Sequence, residues 1–181
     1  MSTIKIIKEE KPNTWYRERF DRDKQGIICN EIARDMQWLT KNLTTTNEEG
    51  KLVGKYNIVM FNLQNKPKTL QRRGKNRSEY KKILIKEMKK RENDLLKFKD
   101  TFVLVYLCFY LRKEKFMTTD LDNYSKTVID ALKEFIGDDS KIVSLILEKK
   151  ELGSYPKEDM DFVEQALLVL TDPKARTDII R

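Results

Sequence analysis

The chain has 181 residues, 39% of them hydrophobic and 36% charged; that length suits one domain, burying roughly 70% of its unfolded surface beneath a wet exterior. Lys and Arg number 37 against 29 Asp and Glu, giving a net charge of +8 with no histidine. Histidine-ligated zinc, Ser-His-Asp and Cys-His nucleophilic chemistry and a histidine general base are therefore excluded.

In chain order, Thr3–Ile7 reads as a strand, followed by a charged stretch holding Trp15 and Tyr16. Ile32, Met36 and Leu39 recur at helical spacing and predict a helix over about 30–42. The run T-T-T-N-E-E-G-K reads as a loop or linker and marks a candidate boundary near residue 55. Tyr56 to Leu63 reads as a strand. After a basic loop, Asn76 and Glu79 have capping-box spacing and open a helix carrying Tyr80, Ile83, Leu84, Met88 and Leu95 on one side. Thr101 to Arg112 is dense in Val, Leu and aromatics and predicts a strand buried on both faces. A second helix spans about 121–136, with Leu121, Tyr124, Val128, Leu132 and Phe135 as its apolar stripe and Gly137 as its stop. Ile142–Leu147 and Phe162–Leu170 close as strands. The expected fold is α/β: a single domain with a small mixed sheet and two main helices, plus an N-terminal extension over 1–55.

Cys29 and Cys108 are far apart in apolar surroundings, which argues against a disulfide framework and for a reducing, cytoplasmic setting. The first residues lack the apolar core of a secretory signal, and Phe102–Leu111 is about half of what a membrane helix needs. No membrane partner is expected.

The charge is concentrated. Residues 56–99 hold 14 basic and 4 acidic side chains, whereas residues 117–181 hold 9 basic and 14 acidic. A phosphate-binding surface beside a carboxylate site fits that contrast. Lys81–Lys97 also reads as a solvated helix face. Lys66, Lys68, Arg72, Arg73, Lys75 and Arg77 differ, because they occupy a Pro- and Gly-punctuated loop with no interleaved acid. Nucleic acid contact is the favoured reading there.

The informative acids surround the second helix: Asp120 and Asp122 at its start, Asp138 and Asp139 just past its end. Asp122, Lys126 and Asp130 fall at i, i+4 and i+8, opposite the apolar stripe. Asp120 also reads as an ordinary helix cap, and Asp122 with Lys126 as a surface ion pair. Acids at a helix C-terminus oppose the macrodipole, so Asp138 and Asp139 resist that treatment, although a turn role stays open. An EF-hand fails, since the glycine position holds Ser125 and the final glutamate position holds Ala131. Carboxylates without imidazole or thiolate suit a hard ion, Mg²⁺ or Mn²⁺, and phosphodiester hydrolysis beside a basic segment.

The motif D-L-D-N-Y-S-K-T-V-I-D-A-L followed by G-D-D-S-K-I-V resembles the RusA-type Holliday junction resolvases of bacteria and phages. Upstream, the strand at 56–63, K-P-K, R-R and S-E-Y resemble that family more weakly, so the resemblance covers about residues 56–170 and the resolvase domain is expected over 56–181. Residues 1–55 have no recognised counterpart. The resemblance implies a homodimer that cuts four-way DNA junctions symmetrically in recombination and repair, using Mg²⁺ or Mn²⁺. It implies Asp120, Asp122 and Asp139 as essential, metal-holding carboxylates and Lys126 as the essential lysine; Asp130 reads as structural. The rival readings are a general flap or fork endonuclease and a non-catalytic basic DNA-binding protein. Richness in Lys, Asn and Ile fits an AT-rich genome such as a phage's.

Overall fold

The computed structural model describes residues 29–64, 66–67, 75–153 and 164–180. The expected strand at Thr3–Ile7 and the Trp15–Tyr16 stretch lie outside them. The elements are α1 (Asn30–Leu43), β1 (Thr44–Thr46), β2 (Leu52–Gly54), β3 (Ile58–Leu63), α2 (Lys75–Lys89), α3 (Glu92–Leu95), β4 (Val103–Leu111), α4 (Lys113–Thr118), α5 (Leu121–Ile136), β5 (Ile142–Glu151), β6 (Gln165–Thr171) and α6 (Arg176–Ile179). The main sheet has the order β3-β6-β4-β5, with β6 antiparallel to both β3 and β4 and β5 parallel to β4. The α/β class and the mixed sheet match the sequence reading.

Strand β4 is buried along its whole length because helices cover both faces of the sheet. On one face Ile32, Met36, Leu39 and Leu43 of α1 pack against Tyr106, Cys108, Leu167 and Val169. On the other, Tyr80, Leu84 and Met88 of α2 and Tyr124, Val128, Leu132 and Phe135 of α5 pack against Val59, Phe61, Val105, Leu107 and Leu168. The period-2 alternation of β3, β4 and β6 divides the core into these two halves. A polar tie fastens α1 to the sheet: buried Asp35 accepts from the Tyr110 hydroxyl and from Lys150 Nζ at 2.7 Å.

Helix α5 has the predicted bounds, and Gly137 ends it at φ 86°, a backbone region that favours glycine. Three expectations are corrected. The run after α1 is not a linker but a hairpin of β1 and β2. The Asn47 side chain accepts from the amides of Glu49 and Lys51, and Gly50 takes φ 75° in its turn. Three β-branched threonines supply the strand. Helix α1, which lies before the expected boundary at residue 55, packs in the same core as β4 and β6. In α2 the stripe excludes Ile83, which is 40% exposed, and the helix begins at Lys75, placing Asn76 inside its first turn. Strand β5 runs on to Glu151, since a sheet-edge strand tolerates the polar residues of L-E-K-K-E. Helices α4 and α6 had no periodic signal at four to six residues.

Candidate active site

Helix α5 is anchored by its buried residues, including Tyr124, whose ring stacks at 5.2 Å on Phe109 of β4. That packing turns Asp122 and Lys126 outward, where both are exposed. Asp120 occupies the N-cap position with extended backbone, yet its carboxylate accepts no capping hydrogen bond. Neither Asp120 nor Asp122 has an ion-pair partner among the described residues, and Lys126 makes no pair with Asp122. Two free carboxylates therefore stand at the positive end of a 16-residue helix. The cap reading of Asp120 loses its hydrogen bond.

Asp130 behaves as a structural residue. It accepts from Arg77 Nη2 at 2.9 Å and lies 3.8 Å from Lys133, tying α5 to α2. Asp130→Asn should cost less than about 1 kcal/mol, as for half-exposed ion pairs, and leave the reaction chemistry unchanged; thermal unfolding and activity measured side by side check this.

At the far end of α5, Asp138 accepts from the amide of Ser140 at 2.7 Å and caps a short 3-10 turn. The bond to the Ser140 amide holds its carboxyl below the usual range. Asp139 is 54% exposed and pairs with Lys133 Nζ at 2.6 Å. A helix of 16 residues is about 24 Å long, so Asp139 stands at the opposite end of α5 from Asp120 and Asp122. Among the described residues no three carboxylates gather as a metal site. The sequence reading joined all three acids at one ion; a single chain does not bring them together.

The basic residues divide. Lys68, Arg72 and Arg73 lie outside the described residues, and Lys75 opens α2. Arg77 is engaged with Asp130. Lys66 converges with Lys115 and Arg112 on Glu164, at 3.6, 3.0 and 3.4 Å. Glu164 is fully buried and also accepts from the Arg112 amide. Burial lowers the Lys115 pKa more than Glu164 raises it. Three cations on one carboxylate leave a surplus of positive charge at the C-terminal end of β4. Tyr124, one turn into α5, feels the charges of Glu164, Lys66 and Arg112, so this cluster adjoins the helix start that carries Asp120 and Asp122. Glu164 was missed from sequence, because residues 66, 112, 115 and 164 show no common spacing.

The donor set of Asp120 and Asp122, with no nitrogen or sulfur ligand near, is of the oxygen type that Mg²⁺ and Mn²⁺ take, completed by waters and substrate phosphate. The residues fit such an ion at the α5 start.

The family model for the endodeoxyribonuclease RusA matches residues 12–157. The chain belongs to the RusA endodeoxyribonuclease family. As a family member it is an enzyme, a Holliday junction endodeoxyribonuclease that acts on branched DNA. The match begins upstream of Tyr56 and takes in all of α1, in keeping with the place of that helix in the core. No curated protein matches the sequence. None of the described helices is long and apolar enough to cross a membrane.

Proposed function

We propose that this RusA-family protein resolves four-way junctions as a homodimer, by paired hydrolytic nicks that require Mg²⁺ or Mn²⁺. Each site combines Asp120, Asp122 and Lys126 of one copy with Asp139 of the other. The supporting observation is the pair of exposed, unpartnered carboxylates at the start of α5, beside the surplus cations around Glu164. The length of α5 argues for the second copy, since Asp139 cannot join Asp120 and Asp122 within one chain. A two-fold enzyme also matches a two-fold substrate that needs two coordinated cuts.

When bound, the ion polarises the phosphoryl oxygen and lowers the pKa of a water. The chain supplies the rest. Asp120 and Asp122 provide two oxygen donors separated by one residue, aimed into solvent where a phosphate can approach. Lys126, one turn further along the exposed face, offers an ammonium to the negative charge that builds on phosphorus or on the departing oxygen. Lys66, Arg112 and Lys115 favour the DNA backbone on the β4 side of the helix start. Lys68, Arg72, Arg73 and Lys75 are further candidate phosphate contacts by their charge in the sequence, while Arg77 contributes mainly by holding Asp130.

The test is cleavage of a synthetic four-way junction, a flap, a fork and a linear duplex with and without Mg²⁺. Paired nicks at symmetric positions of the junction are expected only with metal. Equal cutting of flap or fork would instead make it a general branched-DNA endonuclease, and binding without nicks would leave a DNA-binding protein. Replacing Arg72 and Arg73 with Ala should weaken junction binding and reduce the slope of log affinity against log salt by about two contacts. An unchanged slope would remove the loop from the interface.

A further inference from the structure

Glu164, just before β6, is a carboxylate with no exposed surface. An ion buried that deeply persists only where cations and hydrogen bonds compensate it. One cation would balance its charge, and three surround it. Oε2 accepts from Lys115 Nζ at 3.0 Å and lies 3.6 Å from Lys66 Nζ. Oε1 accepts from the Arg112 amide at 3.2 Å and lies 3.4 Å from Arg112 Nε. Both carboxylate oxygens are therefore engaged, and two positive charges are left over. Among the described residues, Arg112 and Lys115 pair with no other acid. The Arg112 side chain is 40% exposed, and its guanidinium makes no hydrogen bond among the described residues, even at the buried Nε. A guanidinium carries five N–H donors in a fork that matches phosphate. Burial first, and also the like charges of Lys66 and Arg112, lower the Lys115 pKa against the pull of Glu164. An anion seated among the three cations relieves that repulsion.

The cluster is also fixed relative to the acids at the α5 start. The Thr119 amide donates to the Lys115 carbonyl at 3.0 Å, and Lys149 donates to the Thr119 carbonyl at 2.9 Å. Glu164 thus grips α4 at the residue whose carbonyl holds Thr119, directly before Asp120. Lys115 lies five residues before Asp120, about 8 Å at helical rise. That is about two nucleotides of one DNA strand at roughly 3.4 Å each. We infer that Lys66, Arg112 and Lys115 form a second phosphate site, for a DNA phosphodiester about two nucleotides from the one being cut, and that Glu164 is its positioning residue. Its place relative to the cut rests on the function proposed above, although the cation cluster itself does not. Glu164 orders three long side chains when the protein folds, so that entropy is not lost again when DNA binds. A backbone held at this second point brings the next phosphates over Asp120 and Asp122 in a fixed register.

The test replaces single phosphates of a synthetic four-way junction with uncharged methylphosphonates, one position at a time around the branch point. Metal-free binding is then measured for each. With the wild-type protein, one position about two nucleotides from the cut should weaken binding about tenfold, the scale of one charge-assisted contact. Lys115→Met should weaken binding of the unmodified junction by a similar factor and lose the extra penalty at that position, because the contact is already gone. It should still fold, since Glu164 keeps Lys66 and Arg112. Glu164→Gln keeps the shape and raises the net charge. A cluster acting by charge alone then binds the junction more tightly, with the penalty undiminished, and that result overturns the role of Glu164. Positioning predicts that the penalty at that one position disappears although the charge has risen. Where Glu164→Gln does not fold, Lys115→Met decides. A wild-type protein with no such position, or a penalty that persists in full in Lys115→Met, overturns the site. Reading binding without metal keeps the two ideas apart. The penalty without Mg²⁺-dependent nicking would keep the phosphate site and reject the proposed reaction, and nicking without the penalty would do the reverse.

Discussion

Asp122→Asn and Asp139→Asn should each lower Mg²⁺-dependent junction nicking by at least about 10²-fold, the scale of losing one preorganised electrostatic group at a reacting centre. Mixed and allowed to exchange, the two inactive chains should recover activity. A mixed dimer holds one site in which both substitutions meet and one in which Asp120, Asp122 and the partner's Asp139 are all intact. Random exchange makes half of the dimers mixed, with one of two sites working, so about one quarter of wild-type nicking returns. The nicks should come singly, because the mixed dimer cannot cut both strands in one encounter. A site completed within one chain predicts no recovery. Without metal, the variants should bind the junction as tightly as wild type or more tightly, since each removes a negative charge facing phosphate. The cap reading predicts that Asp120→Asn is nearly silent in both assays, because Asn caps a helix about as well as Asp. Mg²⁺-dependent nicking retained by Asp120→Asn would remove the carboxylate from the reaction.

The acidic motif was legible because it is local. D-L-D-N-Y-S-K sets Asp120, Asp122 and Lys126 on one short stretch, and the apolar stripe from Tyr124 to Phe135 determines which face turns out. Even the distance to Asp139 was present in the sequence, as 16 helical residues between Asp120 and Gly137, but a motif read as letters hides a length of about 24 Å. The hairpin after α1 was read as a linker since its polar turn N-E-E-G outweighed three threonines. Two strands of three residues give no alternation long enough to register. Glu164 could not be found at all: its importance comes from burial among Lys66, Arg112 and Lys115, which only the tertiary fold brings together. Arg77 looked like a loop cation until Asp130, 53 residues away, was seen to bind it.

Residues before Gly50 should prove indispensable for folding, contrary to what a resemblance starting near Tyr56 suggests. Ile32, Met36, Leu39 and Leu43 are each no more than 2% exposed, and together they cover one face of the sheet. Truncating any one such side chain to Ala typically costs about 2–5 kcal/mol, against a total stability of roughly 5–15 kcal/mol for a domain. Deleting all of α1 therefore exceeds what the rest of the core can offset. It would also leave Lys150 without Asp35 and bare the apolar face formed by Tyr106, Cys108, Leu167 and Val169. A chain beginning at Gly50 should be insoluble, or should lack cooperative unfolding and junction cleavage alike. Leu39→Ala supplies the graded version. At about 2–4 °C per kcal/mol for a chain of this size, its melting temperature should fall by roughly 5–15 °C while the Mg²⁺ requirement stays the same, because Leu39 lies on the sheet face opposite α5. A Gly50 chain that melts cooperatively and still nicks junctions would show that the α2–α5 half of the core folds by itself, with α1 as a separable layer.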